Sequence, residues 1–279
     1  MRTVELVKGI QSSVLGFGCA SILGSVDAKK SRRALEVAFE QGINHFDLAR
    51  SYGYGEAESF VGKILRPNRD KVVLATKFGI IANWKAGLLG PAKSLVRSFK
   101  KKKGPVSYAD QVKPVKSHFA DHFHDRIELS EASMRKSLET SLREMKSDYV
   151  DYFFLHEPKS KLVNIEELSN TAAKLKEEGK IRAWGLASMK DQLKLHRDYL
   201  NSFDVLQFNN SPLDPDYNEI CEERGKTSNI FFSPFRSFSG SISHGAKLQA
   251  LFTDFPGSVV LCSMFNVEHL KENVGFAEL

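Results

Sequence analysis

The sequence predicts a parallel (β/α)8 TIM barrel, on three observations. Eight short apolar runs recur along the chain, amphipathic helical patterns lie between several of them, and 279 residues suit a barrel of about 250 residues. Short, continuously apolar runs rich in β-branched residues are typical of parallel strands that are covered on both faces. We therefore expect a single domain over residues 1–279. The runs are SVLGFGC (13–19), INHFD (43–47), KVVLATK (71–77), YVDYFFLH (149–156), IRAWGLA (181–187), FDVLQF (203–208), NIFFS (229–233) and GSVVLCS (257–263).

Four segments between the runs carry the apolar spacing of a helix with one buried face. The first covers residues 31–41 and ends at Gly42, a residue suited to a helix C-terminus. Gly179 is suited in the same way to end the third of these segments, which contains Ile165 and Leu175. The other three stripes are Met134, Leu138, Leu142 and Met145; Ile165, Leu168, Ala172 and Leu175; and Val267, Leu270, Val274 and Ala277.

The first residues and the glycine pattern favour a barrel over an open sheet. Residues 1–12 place Lys8-Gly9 between TVELV and IQSSV, which predicts a short N-terminal hairpin that closes the barrel bottom. An open doubly wound sheet usually shows GxGxxG after its first strand. Here the first strand gives GFGCASILG, whose glycines have the wrong spacing.

A long loop is expected after the third strand, from Lys77 to about Ser130. A loop of this length in a compact domain is usually functional or disordered. Its lysine-rich segment, residues 93–116, suggests either a solvated surface or attraction of an anionic substrate or cofactor. No nucleic-acid motif accompanies it, and we expect no nucleic-acid partner. HFADHFHD (118–125) resembles loose metal ligands without a supporting motif, so no metal is expected.

Composition indicates a soluble, cytoplasmic protein. The chain has 42% hydrophobic and 27% charged residues and a net charge of +6. It has neither an apolar run of membrane-spanning length nor a basic-then-apolar leader, so no membrane partner is expected. Three widely spaced cysteines, Cys19, Cys221 and Cys262, argue against a disulfide framework. Oligomeric state is not visible in the sequence.

Polar residues close several apolar runs, at the face where barrel active sites lie. Asp47 ends the second run, Lys77 the third and His156 the fourth, while Tyr52 and Tyr54 follow Asp47. Each has an ordinary structural explanation, as a turn residue, a solvated cation or a packing lid. Together they suit carbonyl reduction: a tyrosine gives a proton, a lysine lowers the tyrosine pKa, an aspartate holds the lysine, and a histidine orients the carbonyl. The residues alone do not choose between the two tyrosines.

The sequence resembles the aldo-keto reductase family over nearly its whole length. The resemblance rests on LGFGCA (15–20), FDLARSYGYGEAES with VGKIL (46–65), LATKFG (74–79), LETSLREMKSDYVDYFFLHEP (138–158), GKIRAWGLAS (179–188), VLQFN (205–209) and FFSP (231–234). Family members are nicotinamide-dependent oxidoreductases on a (β/α)8 barrel, usually preferring NADPH. The resemblance implies Asp47, Tyr52, Lys77 and His156 as the catalytic tetrad, with Tyr52 as the acid. Arg50 and Tyr54 then become candidates for shaping the pocket.

The resemblance also implies the cofactor-binding residues. The family cation near the start of SMFNVEHLKEN is replaced by Ser263, Met264 and Phe265, so NADPH and NADH both remain open as cofactors. The usual Ser-Asn pair for the nicotinamide amide is reduced to one serine, and a phenylalanine replaces the stacking tyrosine. The implied contacts are Ser188, Gln207, Phe232, Ser233, Ser263, His269, Glu272 and Asn273.

These features predict an NAD(P)H-dependent oxidoreductase that acts on a small-molecule carbonyl substrate. A non-catalytic nicotinamide-nucleotide-binding subunit is the alternative, since several of the implied cofactor positions are altered. A phosphosugar isomerase is disfavoured because the short Ser263–Phe265 loop offers no glycine-rich phosphate cradle.

Overall fold

Eight parallel strands close into a barrel in this computed structural model, which describes residues 1–83, 85, 123–223, 229–236 and 242–278. The predicted TIM barrel is therefore confirmed. Four further strands form two separate two-stranded sheets. In chain order the strands of the described residues are β1 (Thr3–Val7), β2 (Ile10–Ser13), β3 (Leu15–Gly18), β4 (His45–Asp47), β5 (Val73–Phe78), β6 (Ile80–Ala82), β7 (His124–Arg126), β8 (Val150–His156), β9 (Ile181–Ala187), β10 (Val205–Asn209), β11 (Asn229–Phe232) and β12 (Val259–Cys262). The two-stranded sheets are β1 with β2 and β6 with β7.

The barrel follows the chain order of the eight predicted runs. Its strands are joined in the order β3, β4, β5, β8, β9, β10, β11 and β12, and β12 pairs with β3 to close the ring. Helices surround the ring and cover its outer face. They are α1 (Ala28–Glu40), α2 (Ala57–Leu65), α3 (Glu131–Met145), α4 (Ile165–Glu177), α5 (Lys190–Leu193), α6 (Glu219–Glu223), α7 (His244–Asp254) and α8 (Val267–Glu278).

Helix ends follow the local sequence. The side chain of Asp27 accepts a hydrogen bond from the Lys30 amide at 2.9 Å and caps α1, which begins three residues before the predicted start. Gly42 has φ +83°, the left-handed backbone expected after a helix C-terminus. None of the described helices is both long and apolar enough to cross a membrane.

The N-terminal hairpin closes the barrel bottom, as predicted. Strands β1 and β2 are antiparallel, and their side chains Leu6 and Ile10 pack with the barrel interior. Arg182, on β9, donates a hydrogen bond to the Gly9 carbonyl at 2.6 Å and fastens the turn to the barrel. This leaves the opposite end, at the carboxyl termini of the strands, as the open one.

Strand β6 lies at the start of the connection after β5 and strand β7 near its end, and the two strands pair antiparallel. The lysine-rich segment 93–116 and residues 118, 121 and 122 of the suspected metal ligands lie outside the described residues. Within the described residues, no cluster of three or more potential ligands could hold a metal ion. None of the three cysteines forms a disulfide, as the sequence indicates.

A buried histidine near the barrel floor should make the protein sensitive to acid. His45 is fully buried, its ring stacks on Tyr152 at 5.5 Å, and its Nδ1 lies 3.1 Å from the Ser12 hydroxyl. Burial, with a smaller contribution from the Lys77 charge, lowers the His45 pKa to about 3. The unfolded state therefore binds one more proton between about pH 6.5 and pH 3, and the stability contribution is full above pH 6.5 and lost as pH falls.

We expect the free energy of unfolding to decrease by up to about 1.4 kcal/mol per pH unit through this one group in that window. His45→Gln should remove about one proton from the pH dependence measured by urea unfolding between pH 4 and pH 6.5. The exposed His269→Gln serves as the control. An unchanged slope in His45→Gln would contradict the assignment.

Candidate active site

Strand alternation brings the predicted polar residues to one end of the barrel interior. Successive side chains of a strand point to opposite faces. On β5, Val73 and Ala75 face the interior, so Lys77 does too. On β8, Tyr152 and Phe154 face the interior, so His156, two residues further on, faces it as well. The same rule, counted from His45 and Val205, places Asp47 and Gln207 inside.

Asp47 and Lys77 form a buried ion pair. The Lys77 Nζ donates to both carboxylate oxygens at 2.7 Å and to the Leu48 carbonyl at 2.7 Å. Gln207 donates from Nε2 to the Asp47 Oδ1 at 2.7 Å. The ammonium position is thus fixed by three acceptors, and the carboxylate position by two side-chain donors.

Tyr52 reaches this pair from a 3₁₀ turn, Tyr52–Gly55, that follows β4. Its hydroxyl lies 3.5 Å from the Lys77 Nζ. Gly53 has φ +60°, and an added Cβ would lie 2.7 Å from the Ile22 carbonyl oxygen, so the turn requires glycine here. Tyr54 also has φ +60°, and its ring packs edge-on against Phe123 at 5.7 Å.

The expected lowering of the Tyr52 pKa by Lys77 is wrong for this structure. Burial raises the Tyr52 pKa well above its usual value, and the negative charge of Asp47 and then Glu157 adds to the rise. Burial is the main cause, and the geometry adds to it: the ammonium lies closer to the carboxylate than to the phenol, so Asp47 offsets its charge. The hydroxyl consequently stays protonated, which is the form that can donate a proton.

His156 faces the same cavity as Tyr52. Their rings meet edge-to-face at a centroid distance of 6.3 Å. Burial lowers the His156 pKa well below its usual value, and the positive charges of Lys77 and Arg126 add to this. The imidazole is therefore neutral, and its buried Nδ1 has no hydrogen-bond partner among the described residues. A neutral imidazole carries one N–H, which can donate to a substrate oxygen.

A cavity of about 480 Å³ opens at this end of the barrel. It is lined by all four tetrad residues, Asp47, Tyr52, Lys77 and His156, and by several predicted cofactor residues. The structure therefore brings the tetrad together; the roles of its members stay predictions. The cofactor residues at the cavity are Ser188, Gln207, Phe232, Ser233 and Ser263.

Besides the His156 Nδ1, two further buried polar atoms beside the cavity have no hydrogen-bond partner among the described residues. They are the Ser188 Oγ and the Gln207 Oε1. Such atoms are costly to bury unless a ligand or water satisfies them. A hydroxyl donor and an amide acceptor match the carbonyl and the NH₂ of a carboxamide, so these residues fit a nicotinamide. Phe232 offers a half-buried ring at the cavity wall, and Ser233 adopts φ +55° directly after it.

The predicted adenosine contacts lie farther along, on α8. His269 and Glu272 are exposed, whereas Asn273 is buried and its Nδ2 has no hydrogen-bond partner in the part of the chain that the structure describes. Met264 and Phe265, at the position of the missing cation, are both buried. The Phe265 ring packs edge-on against Phe17 at 5.2 Å, so its side chain belongs to the core.

Arg50 does not shape the pocket as expected. Its guanidinium lies 3.4 Å from the buried Glu58 carboxylate and donates to the Ser137 carbonyl at 3.3 Å, behind the barrel wall. Tyr54 is likewise absent from the described cavity lining. Sequence reasoning missed Glu157, Asn209 and Arg236, which do line the cavity. Asn209 could have been found, because strand alternation places it two residues after Gln207.

The fold and this cluster define a (β/α)8 barrel whose candidate active site lies at the carboxyl ends of the strands. The sequence profile of the Aldo/keto reductase family matches residues 14–251. The chain belongs to the aldo/keto reductase family, which confirms the resemblance seen in its motifs.

Individual proteins that are similar to this chain are also named as aldo-keto reductases. Aldo-keto reductase YhdN of Bacillus subtilis is 30% identical over 186 residues, which cover 64% of this chain and 44% of the relative. An aldo-keto reductase crystal structure from Pseudomonas aeruginosa superposes with a TM-score of 0.72 at 22% identity, covering 99% of this chain and 94% of the other. One from Klebsiella pneumoniae, solved in complex with NADPH, gives 0.67 at 19% identity, covering 100% and 90%. The match to the curated relative thus spans less than half of that protein's length.

Proposed function

We propose that the protein is an NAD(P)H-dependent oxidoreductase that reduces an aldehyde or ketone to an alcohol, or catalyses the reverse reaction. The observation that carries the proposal is the convergence of Tyr52, Lys77, Asp47 and His156 on one cavity, with the Tyr52 hydroxyl 3.5 Å from the Lys77 ammonium. Family membership supports the same reaction class.

In this proposal Tyr52 donates a proton to the substrate oxygen. The neutral His156 donates a hydrogen bond to that oxygen and orients the carbonyl. As the proton leaves, the phenolate gains negative charge next to the Lys77 ammonium, which stabilises it. Asp47 holds the ammonium at that position. A bound nicotinamide cofactor supplies the hydride that completes the reduction.

Ser188, Gln207 and Phe232 are proposed to hold the nicotinamide. The unpartnered Ser188 Oγ and Gln207 Oε1 can bind its carboxamide, and the Phe232 ring can stack on its face. Gln207 also donates to Asp47, so it would connect the cofactor to the ion pair.

Calorimetric titration with NADPH and then NADH tests the proposal. The same titration of Ser188→Ala tests whether Ser188 binds the cofactor. We expect at least one cofactor to bind with micromolar or better affinity. Ser188→Ala should weaken binding by up to about tenfold, because a hydrogen bond is lost. Its free energy of unfolding should not decrease by more than about 0.5 kcal/mol, because the hydroxyl has no partner to lose.

Ser137→Ala is the matched control. Ser137 is also buried with an unpartnered Oγ, but it lies on α3, outside the cavity lining. The Ser137→Ala variant should bind NADPH and NADH with the same affinities as the wild type. If neither cofactor binds the wild type, the oxidoreductase proposal is wrong. Equal affinity in wild type and Ser188→Ala would remove Ser188 from the cofactor site.

A further inference from the structure

The position that would hold a 2′-phosphate on the β12–α8 loop carries no cation. Ser263 is the only exposed member of its three residues, and its hydroxyl donates to the Gly18 carbonyl at 3.4 Å. Met264 and Phe265 are buried in the core. A phosphate bound at this loop would therefore need cations from another element.

Helix α1 supplies such cations beside the same loop. A second cavity, of about 440 Å³, lies between the start of α1 and the start of α8. Its walls hold three basic side chains from α1 and one acidic side chain. The lining residues are Asp27, Lys29, Lys30, Arg33, Phe265, Asn266 and Val267.

The three basic side chains of this cavity outnumber its one acidic side chain within the described part of the chain. Lys29, Lys30 and Arg33 are exposed and form no ion pair there, whereas the adjacent Arg32 lies 3.7 Å from Glu36. The one acidic side chain of the lining, Asp27, also caps α1 by accepting from the Lys30 amide. Lys29 and Arg33 are one helical turn apart, so they present two charges to one side.

We propose that Lys29, Lys30 and Arg33 hold the 2′-phosphate of NADPH, replacing the cation that the β12–α8 loop lacks. The inference rests on the proposed function, since it assigns the phosphate of that cofactor. Lysine and arginine are the side chains that bind phosphate most effectively, and arginine can do so with two parallel hydrogen bonds. The start of α8 adds the positive end of a 12-residue helix.

The placement suits the adenosine contacts expected on α8. Asn273 lies six residues after Val267, or about 9 Å along the helix axis. Its buried, unpartnered Nδ2 is available to an adenine base. A base at Asn273 and a phosphate over the start of α8 would place the ribose between them. NADPH, and not NADH, would then be the preferred cofactor.

The double variant Lys29→Gln/Arg33→Gln tests this by calorimetry, without any activity measurement. We expect NADPH affinity to fall about tenfold or more, since charge-assisted hydrogen bonds are lost, while NADH affinity stays unchanged. Adenosine 2′,5′-bisphosphate should lose affinity in the variant, and adenosine 5′-monophosphate, which lacks only the 2′-phosphate, should not.

Lys8→Gln/Lys146→Gln provides a control with the same change in net charge. Lys8 lies in the hairpin at the barrel bottom and Lys146 at the end of α3, and neither lines the cavity. If the cavity variant binds NADPH as the wild type does, or loses NADPH and NADH equally, the inference is overturned and the proposed function stands. If the wild type binds neither cofactor, the proposed function itself fails, and the inference fails with it.

Discussion

Tyr52→Phe is expected to lower kcat for carbonyl reduction by about 10²–10⁴-fold, the usual contribution of a positioned proton donor. The substitution removes only the hydroxyl. Lys77 keeps its three closer acceptors, the two Asp47 oxygens and the Leu48 carbonyl, so the ion pair should stay in place. Cofactor affinity and the free energy of unfolding should therefore change little. Steady-state kinetics with a panel of aldehydes and ketones, together with NADPH titration, measures both effects.

Tyr54→Phe is the matched control for this prediction. Tyr54 carries the same functional group two residues away, but its ring packs against Phe123 and does not line the described cavity. We expect Tyr54→Phe to keep most of the wild-type kcat. A full rate in Tyr52→Phe, or a larger loss in Tyr54→Phe, would show that Tyr52 is not the donor. A wild type that binds NADPH but reduces no carbonyl would favour the non-catalytic alternative.

The raised Tyr52 pKa adds a pH expectation to the same experiment. A group with a raised pKa keeps its proton at every pH below that value. Deprotonation of Tyr52 should therefore cause no fall in reductase rate between pH 7 and pH 9 in the free enzyme, as read from kcat/KM. An alkaline decrease in this range that disappears in Tyr52→Phe would contradict the electrostatic description.

The strands could be predicted from sequence because each lies in a short run that is rich in apolar residues, and the ends of these runs indicated Asp47, Lys77 and His156 directly. The choice between Tyr52 and Tyr54 depends on backbone geometry instead. The φ of +60° at Gly53 and at Tyr54 separates the two rings, one towards Lys77 and the other towards Phe123. The direction of the Tyr52 pKa was missed because it depends mainly on burial of the hydroxyl and then on the nearby Asp47 charge, neither of which the sequence displays.

Four helices, α2, α5, α6 and α7, were not predicted, and in two of them, α2 and α7, glycines weaken the sequence signal. In α2, an added Cβ on Gly62 would lie 2.5 Å from the Met145 backbone, so glycine permits close packing against α3. In α7, a Cβ on Gly245 would lie 2.2 Å from the Phe276 ring of α8. Glycine is unfavourable inside a helix by about 1 kcal/mol relative to alanine. Tertiary contacts, which the sequence does not display, outweigh this cost.

The buried ion pair leads to the second large effect. Lys77→Met is expected to lower the free energy of unfolding by about 3–5 kcal/mol and to abolish detectable reduction. Lys77 and Asp47 are only 2% and 4% exposed, so removal of the cation leaves a carboxylate with little access to water. Gln207 would remain as the side-chain donor to Asp47. Urea unfolding at neutral pH measures the loss.

The double variant Asp47→Asn/Lys77→Met separates stability from catalysis. A neutral amide removes the unpaired charge, so this variant should regain part of the stability that Lys77→Met loses, because a buried pair replaced on both sides costs less than a pair broken on one side. It should remain inactive, since no ammonium lies next to Tyr52. If Lys77→Met is as stable as the wild type, the buried Asp47–Lys77 ion pair does not contribute to stability. If the double variant regains activity, the tyrosine does not need the ammonium, and the tetrad assignment fails at Lys77.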